Sequence, residues 1–144
     1  MIKPHGSDTL NPLFVYDIDK HHELQKEAES LPSLLLNSAA AANAVMLGAG
    51  YFNPLPGYMN VADAVSVAEK MQTTSGLFWP VPVVNRTNDI SAIKDAKRIA
   101  LRDPNEEGHP VLAIQDVEAI EEITDDQLNL IIEKVYRTTD AEHA

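Results

Sequence analysis

Residues 97–108 are Lys97-Arg98-Ile99-Ala100-Leu101-Arg102-Asp103-Pro104-Asn105-Glu106-Glu107-Gly108, and a further apolar pattern follows over residues 110–120. The spacing of Ile90, Ile93 and Lys97 fits a helix, whereas residues 98–102 also alternate as a strand would. The turn chemistry of residues 103–108 favours the strand, because Asp, Pro, Asn and Gly are the residues that reverse a chain. The sequence therefore predicts a strand over 97–102 and a β-hairpin over 97–120.

Three segments predict helices, near residues 38–48, 60–72 and 125–136. Each begins with a side chain that can accept a hydrogen bond from the first turn, namely Ser38, Asn60 and Thr124. Gly48 and Gly50 would end the first helix. Thr124 and Gln127 match a capping box, and an apolar stripe follows them, so the last helix carries the most complete set of signals.

The remaining segments predict loops, an arm and an edge strand. Residues 53–57, Asn-Pro-Leu-Pro-Gly, predict an ordered loop, because proline fixes φ and removes a hydrogen-bond donor. Residues 77–84 are aromatic and β-branched, but Pro80 and Pro82 would place such a strand at an edge, for instance a barrel rim. Residues 1–30 predict an N-terminal arm or a short surface helix. The elements together predict an α+β domain.

The composition excludes several classes of protein. The 144 residues carry a formal charge of −11, which disfavours binding to nucleic acid and to anionic membranes. The chain has no cysteine, so thiolate chemistry, disulfides and zinc–thiolate sites are excluded. It has neither a signal peptide nor an apolar run long enough to cross a membrane, and we expect a cytoplasmic protein.

Two segments merit comparison with known ligand sites. Residues 17–23, Asp-Ile-Asp-Lys-His-His-Glu, contain metal-ligand types, but adjacent histidines point apart on a helix and the segment is better explained as solvated charge. Residues 48–50, Gly-Ala-Gly, lack the Lys-Ser or Lys-Thr of a phosphate loop, so a helix cap is favoured. No nucleophile elbow is present, and the paired acids are typical of helix starts. The residues alone predict no catalytic, cofactor-binding or metal site.

Four segments, in order, resemble the ATP sulfurylases (sulfate adenylyltransferases). They are Gly50-Tyr51-Phe52-Asn53-Pro54-Leu55-Pro56-Gly57-Tyr58-Met59, Trp79-Pro80-Val81-Pro82-Val83, the hairpin residues 98–104 with Gly108 and residues 110–113, and Val135-Tyr136-Arg137-Thr138-Thr139-Asp140 with His143. The resemblance runs from about Leu31 to His143. Asp95-Ala96 departs from the usual turn before the hairpin. Ala144 stands where a His-Pro-Gly run would continue, which suggests a truncated chain.

The resemblance implies a PUA-like fold, a small β-barrel or pseudobarrel with about three flanking helices. It further implies an arm over 1–30, a PUA-like domain over 31–144 and a missing catalytic nucleotidyltransferase domain. The full-length enzymes interconvert ATP and sulfate with adenosine 5′-phosphosulfate and pyrophosphate, and we expect Mg²⁺ with ATP there. The family's Gln-x-Arg-Asn-Pro, His-x-x-His and glycine-rich motifs match nothing here, so no catalytic residue is assigned and this chain alone is expected to be inactive.

The expected partners are the catalytic domain of the parent chain and, at full length, further copies in a homo-oligomer. The apolar residues of the loop over residues 50–60 suggest that part of it contacts the catalytic domain, whereas Phe52 and Leu55 are expected to complete the core of this domain. The candidate interface residues are Tyr51, Pro56, Gly57, Tyr58 and Met59. Two alternatives remain open, a free-standing PUA-like module that binds RNA or protein, and a metal-dependent hydrolase centred on residues 17–23.

Overall fold

The computed structural model describes residues 2–140 and residue 142. Its elements in that part of the chain are α1 (Ile18–Ala28), β1 (Ser33–Leu35), α2 (Ser38–Gly48), α3 (Val61–Lys70), β2 (Arg98–Arg102), β3 (Val111–Asp116) and α4 (Asp125–Tyr136). The segment match at His143 and the expected continuation after Ala144 lie outside the described residues. The chain divides into two compact units, Met1–Gly57 with Asn85–Ile120, and Tyr58–Val84 with Glu121–Ala144.

The first unit is built on a mixed sheet in the order β1-β2-β3. Strand β1 pairs in parallel with β2, which places Ser33 opposite Ala100. Strand β2 pairs with β3 in antiparallel fashion, so it is hydrogen-bonded on both sides. Its central residues Ile99, Ala100 and Leu101 are buried, as expected for the middle strand of a sheet with helices packed against it.

The predicted hairpin over 97–120 is confirmed. Arg98 lies opposite Asp116, and the register shifts by one residue between Leu101 and Arg102. The turn contains Gly108 with φ of +79° and His109 with φ of +48°. Glycine adopts a positive φ at the lowest cost, so Gly108 suits its position in this turn.

Of the sequence expectations for the sheet, the barrel is not confirmed and the edge strand over residues 77–84 is wrong. The expected barrel is an open three-stranded sheet in the described part of the chain, and four helices rather than about three accompany it. Residues 77–84 form no regular strand there, only a single bridge between Gln72 and Phe78. The chain folds back on itself instead, since the amide of Trp79 donates to the carbonyl of Met71 at 2.9 Å. Proline residues at 80 and 82 lack the amides needed to extend a ladder.

The three predicted helices are confirmed, with one corrected cap. Helix α2 begins at Ser38, but the side chain that accepts from its first turn is Asn37, on the amide of Ala40. Ser38 instead donates to Asn105 in the hairpin turn. Helix α1 lies within the expected N-terminal arm, and it contacts β3. No helix among residues 2–140 and 142 is long and apolar enough to cross a bilayer.

The second unit is formed by α3 and α4, which contact each other, and by the irregular segment over residues 77–84. Asn60 caps α3 as predicted, and Thr124 with Gln127 completes the predicted capping box of α4. Val67 of α3 is fully buried, and Trp79 and Val83 of the irregular segment are also buried. The apolar residues of a predicted edge strand thus serve this unit's core without forming a sheet.

Candidate docking surface

The turn after α2 is closed by backbone hydrogen bonds. The amide of Ala49 donates to the carbonyl of Val45 at 2.9 Å, and the amide of Gly50 donates to that of Leu47 at 3.1 Å. Gly50 has a φ of +80°, which favours glycine. The capping interpretation of residues 48–50 is confirmed, and these two amides are already bonded within the chain.

Asn53 connects the loop to the N-terminal segment. Its side chain is buried, with 7% of its surface exposed. The Oδ1 atom accepts from the amide of Asn11 at 2.9 Å, while Nδ2 donates to the carbonyl of His5 at 3.2 Å and to Oγ of Ser7 at 2.8 Å. A buried amide with its polar atoms satisfied in this way fixes the two chain segments against each other.

Two further contacts hold the N-terminal segment along the end of α2. The amide of Phe14 donates to the carbonyl of Gly48 at 2.9 Å. Atoms of Pro12 lie so close to Gly50 that a Cβ added there would meet them at 3.3 Å. Sequence reasoning missed these contacts, because they join residues more than thirty positions apart and no local pattern encodes them.

The structure places three of the predicted interface residues in the first unit. Tyr51 is 75% exposed, and its amide donates to the carbonyl of Met46 at 3.0 Å, so its backbone is fixed while its ring faces solvent. Pro56 is exposed and Gly57 is half-buried. A Cβ at Gly57 would meet no atom within 4 Å, so no close approach requires glycine there.

The other two predicted residues, Tyr58 and Met59, belong to the second unit. Both are half-buried, and the amide of Met59 donates to the carbonyl of Val83 at 2.7 Å. Burial raises the pKa of Tyr58 to about 12, because the phenolate is poorly solvated there. The five candidate residues are therefore divided between two units. Phe52 and Leu55, assigned to the core, are partly buried.

The candidate metal segment over residues 17–23 is engaged in helix contacts. Asp17 caps α1 by accepting from the amide of Lys20 at 2.8 Å, and Lys20 pairs with Glu23 at 3.3 Å. The rings of His21 and His22 are 6.4 Å apart and steeply inclined. Residues 2–140 and 142 contain no group of three or more His, Asp or Glu side chains arranged to hold an ion.

The hairpin arginines contact the protein itself. Arg98 pairs with Glu27 of α1 at 2.6 Å and with Asp116 of β3 at 2.8 Å. Arg102 donates to Oγ of Ser33 and to the carbonyl of His109. Positive charge in the hairpin is therefore used to join α1, β1 and β3, which is a structural role.

A family model for the PUA-like domain matches residues 2–144. The chain belongs to the PUA-like domain family. This PUA-like domain is 60% identical over 143 residues to a sulfate adenylyltransferase of Alcanivorax borkumensis, in a match that covers 99% of the chain and 36% of that relative. It is 58% identical, with the same coverage, to a sulfate adenylyltransferase of Allochromatium vinosum. The resemblance to the ATP sulfurylases is thus confirmed, and the chain spans about a third of the length of these relatives.

A solved structure also resembles the PUA-like domain. It is described as a hexameric APS kinase from Thiobacillus denitrificans, and it superposes with a TM-score of 0.67 at 34% sequence identity. The match covers 85% of this chain and 24% of that one. In both comparisons a domain of this size is part of a much longer polypeptide.

Proposed function

We propose that this PUA-like domain is the N-terminal structural and interface domain of a sulfate adenylyltransferase. The observation that carries the proposal is the 60% identity across 99% of the chain, against only 36% of the relative's length. In this proposal the full-length parent interconverts ATP and sulfate with adenosine 5′-phosphosulfate and pyrophosphate. The remaining part of the parent supplies the catalytic residues.

The charges of the domain support the assignment of the catalytic residues to the remaining part of the parent chain. Displacement at a phosphorus atom between two anions requires positive charge positioned around the reacting groups. The chain has a formal charge of −11, and its Arg98 side chain is paired with two carboxylates. The described residues do not fit a Mg²⁺ site either, so we assign the Mg²⁺–ATP requirement to the rest of the parent.

The interface part of the proposal concerns Tyr51, Pro56, Gly57, Tyr58 and Met59. We propose that these residues contact the catalytic domain of the parent chain. In this proposal the full-length parent protein is a homo-oligomer and is located in the cytoplasm. Hydrogen exchange over residues 50–60 should then be slower in a full-length homologue than in this chain, because local opening would also break interdomain contacts. Equal exchange would remove these residues from the interface.

The test of the catalytic proposal is a chimera. Residues 1–144 are joined to the remaining sequence of the Alcanivorax borkumensis enzyme, and ATP formation from adenosine 5′-phosphosulfate and pyrophosphate is measured. We expect activity in the chimera and only background in the 144-residue chain. Turnover by the chain alone, or a folded chimera without activity beside an active parent, would overturn the proposal. RNA binding by the chain alone would instead favour the free-standing module.

A further inference from the structure

The first unit carries an apolar surface that the sequence reasoning did not assign, apart from Tyr51. We call it the N-terminal apolar surface, and its side chains are Leu10, Leu13, Phe14, Tyr16, Val45 and Tyr51. Each has between 40% and 75% of its surface exposed. Exposed apolar residues are common singly, but several on two chain segments that are hydrogen-bonded to each other indicate a binding surface.

The surface is fixed in place. Backbone or side-chain hydrogen bonds attach Asn11 to Asn53 and Phe14 to Gly48, so the segment that carries the apolar side chains lies along the end of α2. The rings of Phe14 and Tyr16 are 5.0 Å apart in an edge-to-face arrangement, which holds both rings in a defined geometry. A fixed aromatic surface loses little conformational entropy when a partner covers it.

The surface also lacks charge. Residues 9–16 and residues 30–62 contain no Asp, Glu, Lys or Arg, although 23% of the chain is charged. After Ser38, the exposed residues of α2 are Ala39, Ala42 and Val45, and the exposed Ala49 caps the helix. Solvated faces of globular proteins carry mixed charges, whereas the cores of permanent interfaces are depleted of them. The two segments that carry the surface therefore offer no positive charge to a nucleic acid or another anion.

We infer that the remaining part of the parent chain covers the N-terminal apolar surface. This inference rests on the proposed function. It extends the proposed interface beyond Tyr51, Pro56, Gly57, Tyr58 and Met59 to the N-terminal segment and α2. Nearly two thirds of the relatives' length lies beyond the matched region. A partner joined in the same chain is present at a high effective concentration, so it occupies an apolar surface ahead of any free protein.

Tyrosine labelling tests the inference. N-acetylimidazole acetylates accessible phenols, and mass spectrometry reports the rate at each position. Tyr16 and Tyr51, which are 74% and 75% exposed in this chain, should be labelled rapidly in it. In the chimera both should be labelled at least about tenfold more slowly, because packed interfaces exclude the reagent as they exclude water. Equal rates in an active chimera would overturn this inference and leave the proposed function intact.

Paired variants supply a second readout. Phe14→Ser with Tyr16→Ser should lower the thermal midpoint of the chimera more than that of the isolated chain, and it should return labelling of Tyr51 to the rate in the isolated chain. Leu35→Ser is the matched control, since Leu35 is 52% exposed in the same unit but outside the surface. An equal effect of the double variant in both proteins would contradict the inference. If labelling of the isolated chain becomes slower as the protein concentration rises, a second copy of the chain covers the surface instead.

A full-length relative provides the check if the chimera does not fold. Amides of the Alcanivorax borkumensis enzyme that align with residues 10–16 and 45–51 should exchange more slowly than the same amides of this chain. Equal exchange overturns the inference. Loss of activity in a folded chimera with slow labelling would count against the proposed function and not against the covered surface.

Discussion

Asn53 joins the loop over residues 53–57 to the N-terminal segment of the chain. Its buried side-chain amide is hydrogen-bonded to Asn11, His5 and Ser7, three residues near the N-terminus. No hydrophobic side chain of similar size could replace these bonds, because both ends of the amide are used. The N-terminal apolar surface is therefore held in part by a polar side chain that is not itself part of it, together with the hydrogen bond from Phe14 to Gly48.

Replacement of Asn53 by alanine should release the N-terminal segment. We expect a loss of about 1–3 kcal/mol in the free energy of unfolding, since a buried hydrogen-bonding group is removed and its partners are left unpaired. Urea denaturation measures the loss, and hydrogen exchange at the Asn11 amide locates it. Asn88→Ala, in an exposed loop, is the matched control. An unchanged exchange rate at Asn11 would contradict the assigned role.

Tyr58 should make stability depend on alkaline pH. Burial raises the pKa of Tyr58 to about 12 from 10.0. The unfolded chain then loses this proton first, so the free energy of unfolding falls as pH rises from about 10 to about 12. Absorbance titration should show one phenol ionising near pH 12, and Tyr58→Phe should remove both effects. A Tyr58→Phe protein with the same alkaline loss of stability would refute this prediction.

Local sequence signals predict the helices, and α4 carries the most complete set of them. The side chain of Thr124 accepts from the amide of Gln127 at 3.2 Å, and that of Gln127 accepts from the amide of Thr124 at 3.0 Å. Helix α3 is similarly capped by Asn60, and its Asp63 also accepts two bonds from Thr74. The caps join residues three positions apart, so the sequence alone predicts them, whereas the bonds from Thr74 to Asp63 span eleven positions and were not predicted.

Removal of the capping box should weaken α4. We expect Thr124→Ala to lower the free energy of unfolding by about 1 kcal/mol, because amides of the first turn lose their acceptor. Thr139→Ala, exposed and outside the helix, should have little effect. Guanidinium titrations of both variants measure the difference. Equal stability of the two variants would mean that the box does not stabilise the helix.

At the scale of the whole molecule, the sequence predicts contacts between neighbouring residues better than contacts between distant segments. Turn residues 103–108 predicted the hairpin because reversal is a local property. The parallel pairing of β1 with β2 joins residues 33–35 to residues 100–102, and nothing local encodes it. The assignment of residues 77–84 to a strand failed for a different reason, because Pro80 and Pro82 lack the amides that would extend a ladder. Their propensity is that of a strand, but their backbone partners are residues 71–73 and Met59.

The candidate site divides in the same way. The loop residues Tyr51 and Pro56 are exposed as an interface requires, and the resemblance to known enzymes drew attention to them. The N-terminal residues around Phe14 were interpreted only as an arm, because their contact with α2 spans more than thirty residues. The absence of charge from residues 9–16 and 30–62 is the signal that could have linked the two segments.

The charge-free run over residues 30–62 has a consequence for proteolysis. Trypsin cuts after lysine and arginine, and it has no site between Lys26 and Lys70. An enzyme that cuts after acidic residues has none between Glu29 and Asp63. Strand β1, helix α2 and the loop that follows them are therefore recovered as one peptide from a digest with either enzyme, whatever the folded state of the chain.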